Sequence, residues 1–511
     1  MRSSKLPSSE PTQGPISADT IDTAFGLASP IFAETSKQLK EIYSQSSHLP
    51  KVAARFHEWQ RFRGNAARDL AVDETTFINQ TYLAILARLT ARRFVAPNRI
   101  IADYEELLEV VNVDYFTRRG IGNFGEGDIF SWLIIEPRWG LNLGRLVLET
   151  VQKLADSIEL YDFSEASSGV LDSLFQQMSP ASTSTPRWLA EYIIEDELGL
   201  TRDYSLSLVD PACGTGAFLC AAIRAMSRAI ANSGGDQIDL LFIAPENIRG
   251  IDFDPISVAL ARLNYLLALG DIVQEEHPQF LMPLYLSDST EPSPQPVSVI
   301  TLATTVGDFP LPEAVIDNPL MLDWVLGRLT NYMDGALLRL HVQQEEVAIQ
   351  EVLNAYYNYL TAAKPRTPVP EALTPEQADT LLETARKLIQ LHIRGDGTLW
   401  LHLVQNMAAP MIFSRSGFDR LTGRCSARKL DMGNTSYLKE PGQAAVLMPF
   451  VEAEVNSYGR RMVTLEDISP GDALVVTTGE GRARLEFNAG PIQFDSSWEN
   501  AKFNVRLVEE S

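Results

Sequence analysis

The chain is poor in cysteine. Only Cys213, Cys220 and Cys425 occur in 511 residues, and their spacing makes neither a metal-ligand set nor a disulfide framework. A reducing, cytoplasmic setting is therefore expected, with no metal site. Positive charge is also scarce: 43 Lys and Arg stand against 66 Asp and Glu, a net charge of −23. A protein held to nucleic acid by charge alone carries the opposite balance. No apolar run approaches the ~18 residues of a membrane span and no signal peptide opens the chain, so no membrane is expected as a partner. What remains is ordinary globular composition, 45% hydrophobic and 21% charged. The length exceeds one compact core and points to about two to four domains.

The most informative segment is Leu206 to Leu219, L-S-L-V-D-P-A-C-G-T-G-A-F-L. A short apolar run ends at Asp210, a glycine turn follows, and a helical pattern begins at Ala217. A strand, tight turn and helix in this order bring backbone N–H groups and a helix N-terminus against a ligand. Glycine suits such a turn because a side chain blocks close approach and some positions demand positive φ. The spacing is not the G-x-G-x-x-G of nicotinamide folds, and no G-K-[ST] of a P-loop is present. A second strand pattern, N-I-R-G-I-D-F-D-P, ends in Asp252 and Asp254, with Pro255 at the first turn of the next helix. A carboxylate at such a tip can accept both hydroxyls of a ribose, whereas Asp254 also reads as a helix N-cap. A third element, Met282 to Ser289, ends at Asp288. Asp-Ser after a strand is equally a common turn.

The D-P-A-C-G-T-G-x-F-L string resembles the S-adenosylmethionine-binding motif of the amino-methylating DNA methyltransferases, above all the N6-adenine group. The resemblance implies a doubly wound, Rossmann-like α/β methyltransferase domain. It assigns cofactor contacts to Asp210, Pro211, Ala212, Cys213, Gly214, Thr215, Gly216 and Phe218. It favours Asp252 for the ribose, with Asp254 close by, and puts Asp288 near the adenine ring. Asn123 to Trp132, N-F-G-E-G-D-I-F-S-W, is similar to a string in the helical N-terminal domain of large methyltransferases of restriction and phage-defence systems. That similarity continues through Tyr161–Ser164 and Leu171–Ile194. Before the first strand the family reads G-x-[FY]-[YF]-T-P. Here Ala181 to Pro186 keeps only Thr185 and Pro186, so Thr185 is the expected cofactor contact and also a plausible N-cap.

Residues 1–18, rich in Ser and Pro, read as disordered. Residues 19–180 form a helical N-terminal domain, in which Asn79 to Ala96 is amphipathic. Residues 181–320 form the cofactor-binding domain, 321–411 a helical insertion, and 412–440 a diverged catalytic segment. Residues 441–511 form a small β-rich C-terminal region. Nine basic residues crowd one stretch: Lys51, Arg55, Arg61, Arg63, Arg68, Arg88, Arg92, Arg93 and Arg99. They read either as a DNA path or as a solvated helix face.

Methyl transfer to an exocyclic adenine amine needs acceptors for its hydrogens. The family supplies them with [DNS]-P-P-[FYW] at the end of the fourth strand, its aromatic stacking on a flipped base. That tetrapeptide is absent. One partial substitute is Asn318-Pro319, after a strand-like A-V-I-D and near Trp324. The other is Gly417 to Ser426, where Phe418, Asp419 and Gly423 match the family's F-D-x-x-x-G but Arg424 replaces the Asn. A guanidinium only donates hydrogen bonds. Catalysis is therefore assigned to Asn318 and Pro319. The expected function is S-adenosylmethionine-dependent methylation of adenine N6 in double-stranded DNA, with the base flipped, in a restriction-modification or phage-defence system. A companion methyltransferase, specificity or restriction subunit is an expected partner. The alternatives are a catalytically inactive cofactor-binding subunit or truncated copy, and a methyltransferase acting on RNA or protein.

Overall fold

The computed structural model describes residues 14–66, 72–101, 103–133, 140–179, 185, 187–274, 276–288, 298–317, 319–362, 372–425, 437, 439, 445–449, 452–453, 461–462, 473–478, 481–488 and 504–510. The N-terminal region is helical: α1 (Ala18–Phe25), α2 (Pro30–Ser46), α3 (Pro50–Ala66), α4 (Glu74–Val95), α5 (Tyr104–Val111) and α6 (Gly140–Ile158). Each of α1, α2, α4 and α5 starts at a Ser or Asp whose side chain accepts a first-turn N–H, which satisfies a donor the helix leaves open. Expected disorder through residue 18 is corrected. Pro15 bridges Asp162 and Ile16 is buried, so one apolar side chain anchors an otherwise polar stretch. Residues 1–13 lie outside the described residues.

The amphipathic reading of Asn79–Ala96 is also corrected. Helix α4 is buried on nearly every side, its arginines included, because other helices cover it all round. Four arginines of the basic stretch are consequently placed neither on a DNA path nor on a solvated face. Arg55 pairs with Asp396, Arg88 with Asp128, Arg92 with Glu106, and Arg93 donates to the carbonyls of Pro97 and Tyr161. All four arginines are buried. Burying a charge is costly unless it is paired, and here each guanidinium holds chain segments together. Arg99 is exposed, and Arg68 lies outside the described residues.

The central sheet has five parallel strands: β1 (Leu208–Asp210), β2 (Ile248–Asp252), β3 (Leu284–Leu286), β6 (Arg420–Cys425) and β7 (Ala445–Pro449). Its order is β3-β2-β1-β6-β7, so the chain starts in the middle, builds outward to one side, then returns to the other. Between β3 and β6 come an antiparallel hairpin, β4 (Val299–Leu302) and β5 (Phe309–Pro312), and a helical block. The strands expected to end at Asp210, Asp252 and Asp288 are joined by two from much later in the chain. In particular, Ala445–Pro449 leaves the expected C-terminal region and pairs with β6. Residues 445–449 read A-V-L-M-P, a continuous apolar run of the kind found in parallel strands. Five further strands, β8 (Glu452–Ala453) to β12 (Asn504–Glu510), form a separate antiparallel sheet.

Helix α7 (Arg187–Tyr192) packs on α8 (Ala217–Ser233), which packs on α9 (Pro255–Leu269). Helices α8 and α9 both lie on β2. The segment Pro255–Val273 is long and apolar enough to cross a membrane, but most of it is buried inside the protein. The helical block contains α10 (Glu313–Asp317), α11 (Pro319–Arg339), α12 (Glu345–Thr361), α13 (Pro375–Ile393) and α14 (Gly397–Ser416), the last packing on β3.

The N-F-G-E-G-D-I-F-S-W string joins the helical region to the sheet. Asn123 Nδ2 donates to the carbonyls of Met282 and Leu284, at 2.7 and 3.0 Å. Arg262 on α9 donates to Asn123 Oδ1, Leu284 O and Glu126 O. Trp132 Nε1 reaches Thr81 Oγ1 at 2.9 Å. These bonds tie buried polar groups of the two parts to one another, which favours one arrangement.

Candidate functional site

The carboxyl ends of β1 and β2 lie side by side, with Asp210 opposite Gly250 in register. From there the glycine turn crosses onto β2: Cys213 N–H donates to Ile251 O at 3.0 Å and Gly214 N–H to Asp252 Oδ2 at 2.9 Å. The turn closes on itself through Gly216 N–H to Cys213 O. Gly214 has φ +54° and Gly216 φ +89°, left-handed conformations that glycine adopts at little cost. Their surroundings differ. A Cβ on Gly216 meets Ala261 Cβ at 3.4 Å, because the start of α8 rests on α9. A Cβ on Gly214 meets nothing within 4 Å. The turn therefore leaves open space at Gly214. Helix α8 begins without a capping side chain, so its first-turn N–H groups lack the usual side-chain acceptor.

Asp210 is fully buried. Its Oδ1 accepts Ala212 N–H at 3.1 Å, while Oδ2 has no hydrogen-bond partner among the described residues. Burial pushes its pKa up to about 8, against the opposing bond from Ala212 and with a smaller contribution from the Asp252 charge. An acid in this state is neutral at neutral pH. Asp252 accepts Gly214 N–H on Oδ2 and Asp254 N–H on Oδ1, at 2.9 Å each.

Asp254 stands at the N-cap of α9, but its side chain makes no cap bond. Instead Oδ1 accepts from Arg63 of α3 at 2.7 Å and Oδ2 from Ser257 at 3.0 Å. Pro211, Cys213, Thr215 and Phe218 are buried around the turn, with Ala212 half-buried. Burial raises the Cys213 thiol well above its ordinary range, so it is a packing residue rather than a nucleophile. Asn264 on α9 braces the turn from behind, donating to Thr215 O at 3.0 Å and accepting Gly169 N–H at 2.8 Å. Thr185 is half-buried just ahead of α7, and Pro186 lies outside the described residues.

Beyond β3, Ser287 and Asp288 line a cavity of about 390 Å³ together with Phe253, Phe62, Arg61 and Met407. Phe253 sits between the two acidic residues at the tip of β2. Ser287 N–H donates to Asp252 O at 2.9 Å, which ties the two strand ends together. Burial, reinforced by Asp288, raises the Tyr437 phenol. Asp210, the glycine turn, Asp252 and Asp254 thus form one cluster, and Asp252 links it to the Asp288 cavity.

The catalytic candidates are placed differently. The strand expected at residues 314–317, before Asn318, is instead part of helix α10. A short apolar run such as A-V-I does not by itself distinguish helix from strand. Pro319 opens α11, where a ring without N–H costs nothing. Asn318 itself lies outside the described residues. Its neighbour Asp317 pairs with Arg415, which lines the cavity. The strands flanking β1 are β2 and β6. It is therefore Gly423-Arg424-Cys425, at the end of β6, that lies in the strand beside the glycine turn. Strand β6 is held to the start of β1 by Asp419, whose Oδ2 accepts Ser207 N–H at 2.9 Å and Oγ–H at 2.7 Å. Burial opposes the charge, but these bonds and Lys439 hold the Asp419 carboxyl down at about 2. Two residues of the site escaped sequence reasoning. Phe253 was legible from its place between two tip carboxylates; Arg63 gave no signal beyond membership of a basic stretch.

No protein-family model matches the chain. It is 23% identical over 284 residues to the adenine-specific methyltransferase PglX of Streptomyces coelicolor (strain ATCC BAA-471 / A3(2) / M145), a match covering 46% of this chain and 22% of that protein. Among solved structures it is similar to a nuclease-deletion mutant of the Type ISP restriction-modification enzyme LlaGI in complex with a DNA substrate mimic. That match has 14% identity and a TM-score of 0.30, covering 52% of this chain and 21% of the other. It is similar also to a DrdV–DNA complex, at 14% identity and a TM-score of 0.34, covering 51% and 25%. The chain spans about a quarter or less of the length of each of these proteins.

Proposed function

We propose that this chain is built as an S-adenosylmethionine-dependent DNA methyltransferase for adenine N6, of restriction-modification or phage-defence type. The observation that carries the reading is the cluster of Asp210, Gly214 and Asp252 at the carboxyl ends of the central strands. It lies in a sheet ordered third, second, first, fourth, fifth. Open α/β sheets bind ligands there. The Streptomyces relative's own activity supports the choice of reaction.

The residues present suit the cofactor. Asp210 Oδ2 is a buried acceptor without a hydrogen-bond partner among the described residues, placed for a cationic group. Open space at Gly214 admits a ligand against the backbone. Asp252, a carboxylate at the tip of β2, suits a ribose diol, and the cavity between Phe253 and Asp288 suits an adenine ring. The uncapped start of α8 suits a carboxylate. When bound, the cofactor supplies an electrophilic methyl group. Double-stranded DNA, a companion subunit and a cytoplasmic setting belong to this same reading.

A second reading is favoured by one observation. The strand beside the glycine turn ends in Gly423-Arg424-Cys425, and an arginine offers no acceptor for an amine. On this reading the chain is a cofactor-binding subunit that transfers no methyl group by itself. Isothermal titration with S-adenosylmethionine tests the shared part. Transfer of tritiated methyl to mixed-sequence DNA separates the two. Absence of binding would end both.

A further inference from the structure

The glycine turn and the acidic strand tips leave the role of α3 open. This helix belongs to the N-terminal region, yet it reaches the end of β2 with three consecutive side chains. Arg61 and Phe62 wall the cavity that Phe253 and Asp288 line. Arg63 pairs with Asp254 at 2.7 Å across 191 residues of sequence, and both side chains are buried. The helix has little freedom there. Trp59 Nε1 donates to Gln80 on α4, the Arg63 guanidinium lies 5.4 Å from the Trp59 ring, and Glu58 accepts from Thr305 N–H and Oγ–H at 3.0 and 2.8 Å.

The contact with Asp254 leads directly to Asp252. Asp254 is held on one oxygen by Arg63 and on the other by Ser257, and its own N–H donates to Asp252 Oδ1. With Gly214 N–H on Oδ2, the Asp252 carboxylate is held on both of its oxygens. We propose that Arg63 is a positioning residue: through Asp254 it orients the Asp252 carboxylate, and so sets both the affinity for an adenosyl ligand and the preference for ribose over 2′-deoxyribose. The inference rests on the cofactor reading above. It makes the N-terminal helical region part of the cofactor site.

The test uses the full chain titrated with S-adenosylhomocysteine and with its 2′-deoxyribose analogue, following thermal unfolding of each variant in parallel. Arg63→Ala leaves Asp254 buried and unpaired and risks the fold. The informative variants are therefore Arg63→Lys, which keeps the charge, and Arg63→Met with Asp254→Asn, which removes both charges together. The unaltered chain should prefer the ribose ligand by about tenfold or more, the worth of a hydrogen bond to a charged group. The double variant should unfold cooperatively, bind the ribose ligand about tenfold more weakly and show no preference. Arg63→Lys should retain part of both. A folded double variant with unchanged affinity and preference overturns the proposal. So does one that loses affinity equally for both ligands, since that is a merely structural role. If the unaltered chain binds neither ligand, the cofactor reading falls and this inference with it.

Discussion

The substitution Asp210→Asn tests whether the site is poised for a cation. Burial moves this carboxyl from an ordinary 3.8 up to about 8. Each tenfold change in proton affinity is worth ~1.4 kcal/mol, so the group's effect on stability is on the order of 5 kcal/mol. The sign follows from proton uptake. Between pH 3.8 and about 8 the folded chain holds a proton that the unfolded chain has lost, so stability is complete below the unfolded value and falls as pH rises to the folded one. The amide of the variant cannot ionise. It keeps an acceptor for Ala212 N–H and places an NH₂ group where Oδ2 stands without a partner. Denaturant midpoints measured across this range should converge for the two proteins at the acid end. Toward pH 8 the Asn variant should become the more stable one. Titration with S-adenosylmethionine near neutral pH should then release up to one proton from the unaltered chain, seen as a heat that depends on buffer ionisation, and the Asn variant should bind more weakly without that release. Parallel stability profiles for the two proteins, or a variant that is less stable at alkaline pH, would refute the reasoning. Asp210 would then be a compensated anion rather than a neutral acid.

Gly214→Ala should leave the fold nearly intact, because its Cβ meets nothing within 4 Å and the left-handed conformation costs only ~1–2 kcal/mol; calorimetry should nevertheless show cofactor affinity at least tenfold weaker. Gly250→Ala should do the reverse and lower the unfolding midpoint, since its Cβ comes within 2.6 Å of Leu219 Cδ1 and 3.1 Å of Cys213 Sγ, an overpacking worth ~1–3 kcal/mol. Asp419→Ala should cost ~1.5–3 kcal/mol by removing a charged acceptor from Ser207. The contribution of Asp419 itself is present above its unfolded value near 3.8 and is lost as pH falls toward about 2. In tritium transfer assays the isolated chain should methylate DNA undetectably, and restoring Asn-Pro-Pro-Trp from Arg424 onward should recover weak activity; robust methylation that survives Asn318→Ala would defeat both readings of the catalytic end.

The amino-acid sequence by itself marks out the elements whose chemistry is local. Asp210, Gly214 and Gly216 were legible because a strand end, a tight turn and a helix start each leave their own residue pattern within a dozen positions. Asp252 was legible for the same reason, as a carboxylate closing an apolar run just before Pro255. Tertiary structure decided everything that depends on segments meeting from afar. The strand beside the turn is one such case: an apolar run such as Ala314–Ile316 reads equally as strand or helix, and only the pairing of β6 beside β1 puts Gly423 in the strand next to the turn. The basic residues of α3 and α4 are another. Composition cannot tell an exposed arginine from a buried one, and these are buried because Asp128, Glu106, Asp254 and Asp396 arrive from other parts of the chain to neutralise them. The same holds for Asp254. Its position before Pro255 reads as a helix cap, but its side chain turns to Arg63, which α3 brings in from 191 residues away.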